Sequence, residues 1–149
     1  MPFLTFFLVG FAIYFVSLDF HFLVLSDDSA YIFRNPYLQK ISLANIVAIF
    51  SNIHFSDYLP INLLSYSWDF TWWGFNSFGY RLTQVVLHSL NACLLFAILR
   101  LLEVPKRACW FSALIFIAHP VQVESVVWIS ERKNLLSSLF IFLSLWFYL

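Results

Sequence analysis

From residue 83 to residue 99 the chain carries no formal charge, and its most polar members are Gln84, His88 and Asn91. Such a run has few structural options. It forms a helix surrounded by apolar material, because a low-dielectric environment requires its N–H and C=O groups to be paired within the segment. Similar apolar stretches occupy residues 3–25, 108–120 and 134–149, with the central one extending over 82–102. With 62% of the 149 residues hydrophobic, 21% aromatic and 11% charged, a bilayer is the environment that fits. The expectation is an all-α membrane protein: one domain over residues 1–149, about four transmembrane helices, and a long outer loop at 26–81.

Several function classes fall away early. Eight basic and eight acidic residues cancel, so nothing electrostatic favours nucleic acid. Cys93 and Cys109 sit in or beside apolar segments and read as small buried thiols; no CxxC or Cys/His spacing suggests zinc. A cleaved signal peptide is disfavoured by the lack of a basic leading region and of a small-residue cleavage site. A transporter would need paired Gly/Pro-broken helices, which are missing.

The loop at 26–81 has a different texture. Residues 42–51 place Leu43, Ile46, Val47 and Phe50 at helical spacing, with Ser42 as N-cap. Trp68, Phe70, Trp72 and Trp73 form an aromatic cluster suited to a membrane interface, a role favoured over sugar stacking. The loop is therefore read as short amphipathic helices lying on the membrane, with Gly74 and Gly79 marking the return. Arg100, Lys106 and Arg107 crowd a tight connection around Pro105, whereas Arg34, Lys40 and Arg81 are scattered over a longer stretch. By the positive-inside rule the tight connection is cytoplasmic and the long loop lies outside.

Two polar features stand out on that outer side. Asp27 and Asp28 are adjacent carboxylates just past an apolar segment, where one tends to keep its proton unless a cation or donor is near. They are candidates for a general base or a metal ligand; equally, Ser26, Asp27 or Asp28 is a candidate cap for a short helix starting near Ala30. The second feature is His119-Pro120-Val121-Gln122-Val123-Glu124 with Ser130-Glu131-Arg132-Lys133 following. Pro120 ends or kinks a helix, and Glu124 lies in an apolar run where an unpaired acid is costly. His88 and Asn91, three apart, share a helix face; bonding between helices is the plainer role, catalysis the alternative. The last apolar segment stops without a polar tail, as though cut off inside a membrane helix.

Taken in order, these motifs resemble a family. Asp27-Asp28 with Asn35-Pro36, Tyr58-Leu59-Pro60, Gly79-Tyr80-Arg81-Leu82-Thr83, His88-Ser89-Leu90-Asn91-Ala92, His119-Pro120, Glu124-Ser125-Val126 and Ser130-Glu131-Arg132-Lys133 are similar to the N-terminal part of the GT-C membrane glycosyltransferases, and in particular to bacterial relatives of the tetratricopeptide-repeat O-mannosyltransferases. The resemblance covers residues 26–149. It implies a partial GT-C-like architecture in a bacterial inner membrane. The implied enzyme uses a polyprenyl-phosphate-linked sugar as donor and a protein or glycan hydroxyl as acceptor, outside the cytoplasm.

It also implies residue roles. Asp27 or Asp28 would be the essential acid of the first outer loop, with Glu124 as a further catalytic acid, since a carboxylate within hydrogen-bond reach can deprotonate a hydroxyl. Arg81, His88, Asn91, His119, Arg132 and Lys133 would form the substrate-binding set, with Arg132 or Lys133 neutralising the leaving phosphate. Asp28 and Glu124 would be the ligands of any divalent ion held against the donor phosphate. Members of the family carry many more spans and usually a C-terminal repeat domain. The contrasting expectation is a small non-catalytic membrane protein, or a degenerate remnant, acting as a structural or assembly partner.

Overall fold

The computed structural model describes residues 2–23, 25, 27–38, 41–53 and 57–149. Among them there is no strand: the chain is an all-α membrane protein. Helix α1 (Pro2–Tyr14) tightens into a 3-10 turn (Phe15–Asp19), where Ser17 Oγ donates to the Tyr14 carbonyl at 2.7 Å. Short α2 (Leu43–Ser51) and α3 (Pro60–Trp73) follow. Then come α4 (Ser77–Leu101), α5 (Lys106–Ala118), the one-and-a-half-turn α6 (Val123–Val127) and α7 (Arg132–Tyr148).

Two of these are long and apolar enough to cross a bilayer alone, Pro2–Asp19 and Ser77–Leu101. A third crossing exists if Lys106–Ala118 and Pro120–Val127, bent by 48° at His119-Pro120, count as one span. The expected fourth segment forms α7, 17 residues long and free of charge after Lys133. The boundaries of the expected segments shift. The first helix ends at Asp19 rather than near residue 25, because the Arg81 side chain takes the Phe20 and His21 carbonyls at 3.0 and 2.9 Å and turns the chain there. The fourth helix begins at Ser77, capped by Asn76 Oδ1 accepting from the Phe78 amide.

Helix α4 is the axis of the molecule. Phe6 of α1 meets Phe96 and Trp110 at 6.0 and 4.9 Å, while Tyr14 meets His88 at 5.9 Å, so α1 runs antiparallel to α4. Helix α5 does the same, with Trp110 beside Phe96 and Ile117 beside His88. Small residues permit the approach: Ala92, Cys109 and Ala113 have no exposed surface. A Cβ on Gly10 would lie 3.1 Å from Ser89 Oγ and 3.2 Å from Ile117 Cδ1. Within a bilayer, where burial supplies no drive between helices, such seams hold by close packing. Both cysteines are free thiols, and Cys109 donates to the Val104 carbonyl.

Helices α2 and α3 form the layer at the end opposite the basic turn. Ser42 caps α2, accepting from the Asn45 amide at 3.2 Å. Trp68 and Trp72 are exposed, as an interfacial cluster requires. The α3–α4 corner depends on two glycines. Gly74 has φ +55°, a conformation that L side chains rarely adopt, and a Cβ on Gly79 would sit 2.0 Å from Cγ of the Trp73 indole. Because Cγ is the root of that ring, the whole indole must move. Gly79→Ala should destabilise the protein by about 1–3 kcal/mol, read as a lower thermal midpoint in detergent. An unchanged midpoint would mean the corner is looser than described. Ser26, Lys40 and His54 lie outside the described residues.

Candidate functional site

Asp28 is fully buried, and its side chain is not a helix cap, although it precedes the Ser29–Phe33 turn. Its Oδ2 accepts from the Leu23 amide at 3.0 Å; its Oδ1 accepts from the Ser130 amide at 3.1 Å and from the Ser130 hydroxyl. The carboxylate therefore ties the exit of the first helix to a segment 102 positions later. Asp27, its neighbour, is exposed. The two acids separate into one structural and one accessible.

The first turns of α4 grip the same two segments. The Arg81 guanidinium donates to the Phe20, His21 and Val127 carbonyls, and Gln84 Nε2 donates to those of Ser125 and Trp128 at 3.2 and 2.9 Å. Between them lies a cavity of about 550 Å³. Its polar lining is Asp19, His21, Arg81 and Glu124, and its apolar lining includes Phe20, Phe22, Val127 and Trp128. Glu124, exposed on α6, thus faces a space shared with residues 19–23. Neither Asp27 nor Asp28 lines it; Asp28 sits behind it, bonded to the lining residue Leu23.

Arg132 has no accessible surface. Its Nη2 lies 2.6 Å from Asp69 Oδ2 and donates to the Tyr80 carbonyl at 2.9 Å, its Nη1 donates to Ser65 Oγ, and its guanidinium stands over the Tyr66 ring at 4.6 Å. Thr83 Oγ1 completes the cluster by donating to Asp69 Oδ1 at 2.8 Å. Burial pushes the Asp69 carboxyl above its ordinary range, opposed by Arg132 and the Thr83 hydroxyl. Arg132, expected at a donor phosphate, is here enclosed, its guanidinium paired with Asp69.

The remaining candidates scatter. His88 Nε2 lies 3.3 Å from the Ile117 carbonyl and Asn91 Nδ2 donates to that of Leu135 at 2.9 Å, so both bond between helices, away from the cavity. His119 is exposed, its Nδ1 accepting from the Val121 amide at the bend. Lys133 pairs with Glu131 at 3.2 Å. The donor set does not suit a divalent ion shared by Asp28 and Glu124. Both Asp28 oxygens already accept hydrogen bonds, and no group of three or more His, Cys, Asp or Glu among the described residues could hold a metal. No step below is routed through one.

Sequence reasoning passed over Asp69 and Ser130 as partners and Asp19 and His21 as cavity residues. One signal was present: Asp69 and Arg132 are opposite charges in apolar, aromatic surroundings, where each is costly without a partner.

Fold and site together define an integral membrane protein with a part-polar, open cavity at the end of the bundle. Among curated proteins, the protein O-mannosyl-transferase TMTC3 of mouse is similar to it, 29% identical over 83 residues. That match covers 56% of this chain but only 9% of the mouse protein. No protein-family model matches the chain, and no solved structure does.

Proposed function

We propose that the chain forms the donor-facing part of a GT-C-type glycosyltransferase, which moves a sugar from a polyprenyl-phosphate donor to a protein or glycan hydroxyl on the non-cytoplasmic side of the membrane. The observation that carries this reading is the cavity in which Glu124 meets Asp19, His21 and Arg81 from distant parts of the chain. The distant similarity to an O-mannosyl-transferase supports the same class.

In this mechanism the acceptor hydroxyl lies against Glu124, which takes its proton as the oxygen attacks the anomeric carbon. The anomeric C–O bond to the donor phosphate breaks, and the phosphate leaves on its lipid. The aromatic wall suits an isoprenoid chain, and Arg81 contributes positive potential while its N–H groups stay on backbone carbonyls. Asp27, accessible on the adjoining loop, is the second acid within the proposal.

Glu124→Gln should lower mannose transfer from polyprenyl-phosphate mannose, assayed in membranes holding the chain, by about 10²-fold or more, with donor photocrosslinking retained. Transfer at the wild-type rate would sink the proposal. A non-catalytic structural role is the second reading, and a specific observation favours it: Asp28, Arg81 and Arg132 are all engaged in internal bonds. It predicts that donor crosslinking is absent from the wild-type chain.

A further inference from the structure

Glu124 is carried by a five-residue helix, Val123–Val127. So short a helix has little stability of its own, because too few hydrogen bonds repay the ordering of its backbone. What fixes α6 must therefore come from its neighbours. One face, with Val123, Glu124 and Val127, lines the cavity. Val126, turned away from it, is 1% exposed and packs with Val85 of α4.

The downstream end of α6 is held from outside. Trp128 takes extended backbone, φ −85° and ψ 117°, so the last carbonyls of α6 lose the amides that a continuing helix would bring. Gln84 of α4 supplies substitutes. Its Nε2 has two hydrogens, and it donates to the Ser125 carbonyl at 3.2 Å and to the Trp128 carbonyl at 2.9 Å. The Ser125 bond lies one peptide from Glu124. Gln84 has no exposed surface and does not line the cavity, so it reaches a guest only through α6.

We infer that Gln84 is a positioning residue: an external C-cap that fixes α6, and with it the Glu124 carboxylate, toward the cavity. The inference rests on the role proposed above for Glu124 as base. A base acts only within hydrogen-bond reach of its proton, and a displacement of about 1 Å can cost about 10²-fold in rate.

Transfer kinetics and hydrogen exchange together test it. Gln84→Met, similar in shape but without N–H donors, should lower kcat by about 10²-fold and leave the donor KM within about threefold. Gln84→Asn keeps an amide that falls one methylene short of both carbonyls, and should show the same split. In both detergent-solubilised variants the Trp128 amide, bonded to the Glu124 carbonyl at 3.0 Å, should exchange about tenfold faster. The His119 amide, bonded to the Ile115 carbonyl at 2.9 Å, should keep its rate. Phe96→Ala separates position from stability. Phe96 packs on Phe6 and Trp110 toward the other end of α4, so the thermal midpoint should fall with kcat unchanged. Wild-type kcat in both Gln84 variants would overturn the inference, as would wild-type exchange at Trp128 or an equal loss of kcat in Phe96→Ala. A wild-type chain that transfers no sugar would overturn the glycosyltransferase reading instead, and exchange at Trp128 would then decide the hold on α6 by itself.

Discussion

Arg132→Met should lower the unfolding free energy by about 3–5 kcal/mol, the largest loss expected from one substitution in this chain. The pair it breaks is enclosed, with side-chain exposures of 0% for Arg132 and 3% for Asp69, so solvent does little to screen it. Removal of the guanidinium leaves a carboxylate in an apolar cluster, held by Thr83 alone, and strips the Tyr80 carbonyl and Ser65 Oγ of their donor. The Tyr66 and Tyr80 rings also lose their cation. The double variant Asp69→Leu with Arg132→Met should recover most of that loss, because apolar side chains of similar volume remove the desolvation penalty with the pair. The measurement is chemical denaturation in detergent. A double variant as unstable as the single one would mean that packing, not charge, dominates the cluster.

Asp28→Ala should be the next most disruptive change, at about 2–4 kcal/mol, since three donors lose a charged acceptor together. Asp28→Asn should be milder, because one amide oxygen still accepts from Ser130 while its NH₂ faces the Leu23 amide. Hydrogen exchange gives the specific readout. The Leu23 and Ser130 amides should exchange faster in both variants, while Leu63 in α3, bonded to the Leu59 carbonyl, keeps its rate. Unchanged protection at Leu23 and Ser130 would show that the carboxylate is not the latch.

The helices were legible because hydropathy and capping act locally: charge-free runs mark α1, α4, α5 and α7, and Ser42 marks the start of α2. The exit of the first helix was not, because it depends on Arg81, some sixty positions away. The same split explains the site. Glu124 was recognisable as an acid out of place, and it does face a cavity. The division of labour between Asp27 and Asp28 was hidden, since adjacent residues are chemically alike until Ser130 arrives to choose one of them. The Arg132 partner was hidden for a related reason: an arginine in apolar surroundings signals a partner, but Asp69 lies 63 positions earlier in the chain, in α3.

The planar fork of Arg81 holds carbonyls on both sides of the cavity, Phe20 and His21 on one and Val127 on the other. Any motion that parts those two walls must break a charge-assisted bond. The compartment is stapled along that seam, so the two walls cannot drift apart there while the guanidinium keeps its three carbonyls.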